Sequence, residues 1–450
     1  MAKAKTEEIV CEDRISVLPE DLLVTILDLL PTKDAVATMF LSKRWLSTWT
    51  MVTSLVYKDI DCESKKSVWC FLKKSMQLHK APVINSLCME LGPQCPTTDD
   101  VDIGKLVAKA VDRLVIKLDI NLLWSAGPSS LHRSLYSCET LVELTLSGQI
   151  LVNIPSSYSA YLPSLRELEL INVVYKDEDS LVSLLSSCPV LEILFVDRRK
   201  DDNVKKFNVK VPTLWDFWYT NYSSCSSSFD HTDRCLVVDA PALTNYRICD
   251  FSGDSRSIED MPFLQDANID VESYHPDDKF LTSFSSVLSL HLYLSDAMVN
   301  HCSTINFSRL IKLSICPCGP EWLEPLLRFL GNAPKLKEFL VDYVRIILLL
   351  FFLHFFCQKF LYKAEDIPYS WWNQQSPVPG CLSTELEIFE WREYGDRMEE
   401  EDFLTYILSN SMRLKTATIS FRSDLEDQKL IIEELEVLPR VSTISHLLFK

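Results

Sequence analysis

The chain has 450 residues, 47% hydrophobic and 24% charged, which is the composition of a folded protein with a substantial core. Its nine glycines argue against Gly-rich phosphate loops, and its net charge of −18 argues against binding to a nucleic-acid backbone. Fifteen cysteines at irregular spacing, with no secretory signal in the first residues, indicate reduced thiols and therefore a protein of the nucleus or cytoplasm. We expect protein partners, and neither nucleic acid nor a membrane.

The first predicted elements are three short helices within residues 13–57, which follow a flexible tail at residues 1–12. Pro19 suits the first turn of a helix whose apolar residues recur at helical spacing until Pro31 ends it. Thr32 can cap the second helix. The predicted helices span residues 19–30, 33–41 and 43–50. Such short helices cannot bury all of their apolar surface among themselves, so part of it should face a partner.

The same segment resembles the F-box, the motif by which substrate receptors dock onto the Skp-type adaptor of cullin–RING ubiquitin ligases. The resemblance is carried by the order "LPEDLLVTIL…LPTKDAV…LSKRW…W" over the whole motif length. It implies an adaptor-binding site made of Leu18, Pro19, Leu22, Ile26, Leu27, Leu30, Pro31, Lys33, Lys43, Arg44 and Trp45. The lysines and Arg44 would border the contact, and the tryptophans more often serve the local core. The alternative is an ordinary helical cap on the next domain.

Beyond residue 60, an octet recurs in which a Pro or a substitute is followed by apolar residues at the third, sixth and eighth positions. The octets begin at Pro82, Lys109, Glu139, Pro163, Pro189, Pro212, Pro241, Pro262, Ser285, Ser308, Pro334, Thr384 and Met412. Up to Pro334 they start 21 to 30 residues apart, within or near the leucine-rich-repeat range. Each octet predicts a strand with a helical return, such as residues 177–188 or 320–333. We predict an irregular leucine-rich-repeat solenoid over residues 58–343; the alternative is a compact α/β domain with coincidental strands.

The last part of the chain, residues 359–450, resembles the FBD domain that ends many plant F-box proteins with leucine-rich repeats. The matching residues are Trp372, Asn373, Pro377, Val378, Pro379, Cys381, Leu382, Leu386, Glu387, Phe389, Glu390, Trp391, Tyr394, Tyr406, Ile407, Leu408, Asn410, Leu414 and Lys415. The segment should add two strands, a helix at residues 400–409 and a last helix around 430–438 that covers the end of the array. The predicted fold class is therefore α/β, with the F-box, the solenoid and the FBD-type segment in that order.

An anomalous apolar insertion occupies residues 344–358 and contains the run "IILLLFFLHFF". The run is shorter than the roughly 20 apolar residues that span a bilayer, and charged residues flank it. Its residues are compatible with codons that resemble intron boundaries, so we favour a translated intron. A buried helix or strand pair is the second interpretation, an interfacial segment is a further one, and a membrane anchor is the least favoured.

The resemblance implies a non-catalytic receptor that binds the adaptor, and through it cullin, and brings a target protein to the ligase. The second hypothesis is a leucine-rich-repeat scaffold that acts without ubiquitin transfer. The sequence contains no G-x-S-x-G, P-loop or H-E-x-x-H motif, which argues against an enzyme. Cys316 and Cys318 have no second Cys or His pair at finger-like spacing, so we expect no metal and no cofactor.

Overall fold

The computed structural model describes residues 15, 18–59, 68–92, 102–124, 127–155, 157–223, 234–252, 254–271, 280–294, 304–317, 323–342, 377–423, 425 and 427–450. The chain divides into two compact units, Met1–Val190 and Leu191–Lys450. The predicted tail (1–12) and the apolar insertion (344–358), with its intron interpretation, lie outside the described residues.

The first unit begins with the three predicted helices, each of which is shorter than expected. They are α1 (Glu20–Leu27), α2 (Thr32–Ala37) and α3 (Lys43–Thr48), and 3₁₀ turns at Thr38–Phe40 and Trp49–Met51 follow the last two. The prediction that Thr32 caps the second helix is wrong. Thr32 is the first residue of α2, and its hydroxyl accepts the Val56 N–H at 2.7 Å.

Parallel strands and the helices between them form the rest of the first unit. Within each sheet, the order of the strands follows the chain. The main sheet contains β1 (Ser54–Lys58), β2 (Ser86–Leu91), β3 (Lys117–Leu122), β5 (Glu143–Gly148) and β7 (Glu167–Ile171). A smaller sheet contains β4 (Ser129–Ser130), β6 (Ile150–Val152) and β8 (Val174–Tyr175). The helices are α4 (Val68–Leu78), α5 (Ile103–Val111) and α6 (Glu178–Ser186), with a 3₁₀ helix at Arg133–Ser137.

Leucines hold the strands of this sheet together on its buried face. One in-register row consists of Leu55, Leu87, Leu118, Leu144 and Leu168, each at most 1% exposed. Because side chains alternate along a strand, the neighbours of these leucines project from the opposite face. This is the pattern that the sixth and eighth positions of the octet predict.

The second unit repeats the arrangement over more strands. Its main sheet contains β9 (Ile193–Arg198), β11 (Asp216–Asn221), β13 (Asn245–Asp250), β15 (Asp266–Val271), β16 (Ser289–Leu294), β17 (Lys312–Pro317), β18 (Glu338–Asp342), β19 (Ile388–Tyr394), β20 (Thr416–Phe421) and β21 (His446–Phe449). A smaller sheet contains β10 (Lys206–Lys210), β12 (Cys235–Asp239) and β14 (Ser255–Ile258). The helices are α7 (Leu323–Gly331), α8 (Gly380–Thr384), α9 (Met398–Asn410) and α10 (Gln428–Glu436), with a 3₁₀ helix at Leu281–Phe284.

In both units the octet locates the strands: apart from the octet at Lys109, each strand begins four residues after the first residue of its octet. The octet at Lys109 is wrong, because residues 109–111 end α5. The strand begins at Lys117, four residues after Arg113, whose octet "RLVIKLDI" fits the pattern better. The predicted helix at the end of the array is present as α10, but β21 follows it, four residues after the overlooked octet at Ser442. The predicted α/β fold class is confirmed.

Charged side chains are buried in the second unit near the ends of its strands. The Arg198 guanidinium donates to Asp202 at 2.8 Å, and Arg256 donates to Asp250 at 3.0 Å, with the side chains of both arginines fully buried. These pairs satisfy one another inside the protein, where an unpaired charge would be costly. In the described part of the chain, no helix has the length and apolar character needed to cross a membrane.

Candidate functional site

The three N-terminal helices are fixed to the first strand through the carboxylate of Asp28. It accepts hydrogen bonds from the N–H of Thr53 at 2.7 Å, the Thr53 hydroxyl at 3.0 Å and the N–H of Ser54 at 2.9 Å. A small core of Leu23, Leu27 and Trp49, each at most 2% exposed, lies between the helices. The helices therefore form a platform that is attached to the first strand through Asp28.

The platform also exposes large apolar side chains, which we call the aliphatic surface because six of its seven members are Leu or Ile. Its members are Leu22 (50% exposed), Ile26 (42%), Leu29 (82%), Leu30 (36%), Phe40 (81%), Leu41 (69%) and Leu46 (53%). Leu22 and Ile26 lie one helical turn apart on α1, on a face rotated by about 100° from that of the buried Leu23 and Leu27. Seven such side chains within 25 residues are more than a surface without a partner normally carries.

Most of the residues predicted to bind an adaptor lie on or beside this surface. Pro19, Leu22, Ile26, Leu30, Pro31, Lys33 and Lys43 are exposed, and Leu18, Arg44 and Trp45 are half-buried. Arg44 of α3 donates to the carbonyl of Leu18, which ties the entry of α1 to the third helix. Leu27 was predicted to belong to the binding site, but it is 1% exposed and packs in the core of the platform. It therefore supports the surface without lining it.

The predicted adaptor-binding site does not include Leu29, Phe40, Leu41 and Leu46. The second helix was expected to continue to Leu41, which would have placed residues 40 and 41 on helical faces. Instead α2 ends at Ala37 and a 3₁₀ turn follows, which leaves Phe40 and Leu41 exposed. Their apolar character in a segment already too apolar for its size was the available signal.

A second candidate surface is the outward face of the main sheet in the second unit. Six residues lie side by side in register across its strands, and we call them the central row: Phe195, Trp218, Arg247, Asn268, His291 and Ser314. The rings of Phe195 and Trp218 meet edge to face at 5.1 Å, and the Arg247 guanidinium lies 5.4 Å from the Trp218 ring centroid. Arg247 also pairs with Asp216 at 3.3 Å. Trp and Arg are the residues that most often dominate binding energy in protein interfaces.

The outward face of the first unit also carries charges, and both of its lysines pair with carboxylates. Lys58 lies 3.5 Å from Glu90, and the ammonium of Lys117 contacts Glu143. Glu169 accepts a hydrogen bond from the Thr145 hydroxyl at 3.1 Å, and burial, opposed by that bond, raises the pKa of its carboxyl.

Neither surface has the features of a metal site. Among the residues that the structure describes, no group of three or more His, Cys, Asp or Glu side chains is placed to hold a metal ion. Cys316 is buried, and Cys318 lies outside the described residues. None of the eight cysteines of the described part forms a disulfide.

Comparison with known families places three domains along the chain. A family model described as F-box domain matches residues 15–57, one described as the LRR repeats of the FBD-associated F-box protein At5g56370 matches 103–261, and one described as FBD matches 374–419. The aliphatic surface falls within the first match. The central row begins in the second match and extends beyond it.

Full-length relatives from Arabidopsis thaliana share this organisation. The FBD-associated F-box protein At1g05080 is 73% identical over 452 residues, which cover 100% of both chains. The F-box/FBD/LRR-repeat protein At1g22000 is 45% identical over 455 residues, which cover 97% of this chain and 91% of the relative. A third, the F-box/FBD/LRR-repeat protein At3g49480, is 43% identical over 97% of this chain and 96% of its own.

Proposed function

Since the chain belongs to the family of FBD-associated F-box proteins with leucine-rich repeats, we propose that it is the substrate-recognition subunit of a Skp–cullin–F-box ubiquitin ligase. The F-box docks the Skp-type adaptor, and the repeat and FBD regions bind a target protein. The subunit is not itself an enzyme: its contribution is to hold the target close to the ubiquitin-loaded partner enzyme. It works in the nucleus or the cytoplasm.

The aliphatic surface is the observation that supports this proposal most directly. Its side chains would be removed from water by an apolar partner, and each Å² of apolar surface so buried contributes about 25 cal/mol. Lys33 and Lys43 are exposed in the same platform, and basic side chains at the rim of an apolar contact favour an acidic partner surface. Asp28 and Thr32 anchor the platform to the first strand, so the adaptor would hold the repeats in a defined orientation.

The test is co-expression with a Skp-type adaptor and cullin, followed by purification through a tag on this chain. The variant carries Leu22→Asp and Ile26→Asp, which place two charges in the contact. The matched control carries Leu430→Asp and Val437→Asp, since these side chains are also exposed (58% and 81%) but lie at the other end of the chain. We expect the first variant to lose both adaptor and cullin, and the control to keep both.

Two results would contradict the proposal. Undiminished adaptor capture by the Leu22→Asp, Ile26→Asp variant would exclude the aliphatic surface as the docking site. Capture of the adaptor without cullin by the unmodified chain would favour a scaffold that acts without ubiquitin transfer.

A further inference from the structure

Two polar atoms on the outward face of the second unit are buried, and neither has a hydrogen-bond partner in the described part of the chain. They are Oγ of Ser314, whose residue is 6% exposed, and Nε2 of His291. The two residues are register neighbours on β16 and β17. A buried hydroxyl or ring nitrogen without a partner costs free energy, and a missing ligand is one physical reason for such a cost to persist.

Both side chains point away from the core. Ser314 stands between Leu313 and Ile315, which are at most 1% exposed on the core face, so strand alternation turns the serine outward. Its short side chain lies between the larger His291 and Leu340 on the neighbouring strands. We call the position of Ser314 between these two larger side chains, with its unpartnered hydroxyl, the depression.

The net charge of this outward face favours a basic ligand. Across β9, β11, β13, β15, β16, β17, β18 and β19 the outward positions hold seven carboxylates and three cations, a net charge of −4. The carboxylates are Asp197, Asp216, Asp266, Asp270, Glu338, Asp342 and Glu390; the cations are Arg247, Lys312 and Arg392. Arg392 bonds Asp342 at 3.0 Å and Glu390 at 2.8 Å, so this group of three carries one net negative charge.

The central row also sets the length of the ligand. Neighbouring strands lie about 4.8 Å apart, so the five intervals from Phe195 to Ser314 span roughly 24 Å. An extended chain rises about 3.3 Å per residue, so about seven residues cross the row. The aromatic rings of Phe195 and Trp218 would lie under one end of such a segment, and the depression under the other.

Resting on the function proposed above, we propose that the target is recognised through an extended basic segment of about seven residues that crosses the central row. A Lys or Arg side chain of this segment enters the depression and donates hydrogen bonds to Ser314 Oγ and His291 Nε2. Asp342 and Glu390 balance its charge. At the other end, the segment packs on Trp218 and Phe195.

The test uses the full chain purified with its adaptor and a synthetic heptapeptide library randomised at every position. We expect bound peptides to be enriched in Lys or Arg, most strongly toward one end. One enriched peptide, fluorescently labelled, is then titrated by anisotropy against Ser314→Ala, His291→Phe and Trp218→Ala at physiological salt. Each variant should bind at least tenfold more weakly. The controls are Ser289→Ala, an outward serine on the same sheet, and Glu167→Gln, an outward carboxylate of the first unit; both should bind as the unmodified chain does.

Thermal unfolding separates a binding role from a structural one. Ser314→Ala removes a hydroxyl that has no partner, so its melting temperature should equal or exceed that of the unmodified chain while its affinity falls. This inference would be overturned if the bound peptides showed no enrichment in Lys or Arg, or if Ser314→Ala and Ser289→Ala bound the peptide with equal affinity. Because adaptor capture is measured in the same preparation, its persistence in Ser314→Ala would leave the proposed function standing, whereas its absence in the unmodified chain would overturn that function independently.

Discussion

The F-box and the repeat strands use the same residue, leucine, in opposite ways. In α1, Leu23 and Leu27 are 1% exposed, whereas Leu22 and Ile26 are 50% and 42% exposed. In the strands of both units, the leucines and phenylalanines of the core face are almost completely buried, and the outward positions are mostly polar or charged. Three short helices have too little interior for their apolar side chains, while each added strand extends an existing one.

This difference separates two modes of recognition. An exposed aliphatic surface can provide affinity for an apolar partner without requiring precise hydrogen-bond geometry, because the hydrophobic effect is not directional. A strand face of aromatic and polar groups provides selectivity, because each polar group left unpaired on binding reduces affinity. We therefore expect substitutions of buried residues to lower the free energy of unfolding the most, followed by protonation of His291 in the central row, and then by substitutions of the paired charges of the first unit.

The largest expected effect is on the buried ion pair of the second unit. Asp250→Asn keeps the shape of the side chain but removes the carboxylate charge that pairs with the fully buried Arg256 guanidinium. Breaking such a pair destabilises a protein by about 3–5 kcal/mol. Urea unfolding should show this loss. Asp216→Asn is the control: its partner Arg247 is 42% exposed, so the cost should stay below about 1 kcal/mol.

The next effect compares two leucines of one helix. Leu27→Ala removes a fully buried side chain and should lower the stability of the F-box by about 2–5 kcal/mol. Leu22→Ala should leave stability nearly unchanged and weaken adaptor binding. Hydrogen exchange over residues 20–50 measures the first quantity, and calorimetric titration with the adaptor measures the second. A loss of stability in Leu22→Ala equal to that in Leu27→Ala would mean that the aliphatic surface is part of the core.

Much of this organisation could be predicted from the sequence, because the octet specifies the apolar positions that a parallel strand buries. The octet even contains the two strands that we misplaced or missed, at Lys117 and His446. It says nothing of the outward positions, so the central row could not be predicted. The pairs Arg198–Asp202 and Arg256–Asp250 were also out of reach, since in each the partners are set by how the chain turns after a strand.

The exposed half of the F-box was only partly predictable for a related reason. Helical spacing distinguishes two faces but not which of them faces water, so Leu27 was grouped with Leu22. Family resemblance supplied the role of the segment. The exposure of Phe40 and Leu41 follows from the end of α2 at Ala37 and the 3₁₀ turn after it, and apolar spacing does not specify where a helix ends.

In the central row, the burial of His291 should make the folding stability of the protein fall at acidic pH. Desolvation is the main cause that lowers the pKa of this imidazole from 6.5 to about 4, with Asp342 raising it and Arg392 lowering it. The unfolded chain therefore binds a proton between pH 6.5 and 4 that the folded chain does not, so stability is full above pH 6.5 and falls as the pH approaches 4. At pH 5 the loss should be about 2 kcal/mol.

The matched variant for this prediction is His291→Phe, which keeps an aromatic ring beside Tyr293 and removes the titrating group. The difference in unfolding free energy between the unmodified chain and the variant should shift by about 2 kcal/mol in favour of the variant between pH 7.5 and pH 5. A difference that stays constant over this interval would mean that His291 titrates normally and is open to water.

The smallest expected effect is on the paired charges of the first unit. Lys58 lies 3.5 Å from Glu90, and both side chains are more than a third exposed, so solvent screens the pair. Lys58→Gln should change the unfolding free energy by less than about 1 kcal/mol and leave peptide binding at the central row unaltered. Urea unfolding at low and at high salt checks this, because the difference between the two proteins should shrink as salt rises. A loss as large as that of Asp250→Asn would mean that outward charges are as important for the fold of the first sheet as buried ones are in the second unit, and the contrast between the buried and the outward faces would not hold.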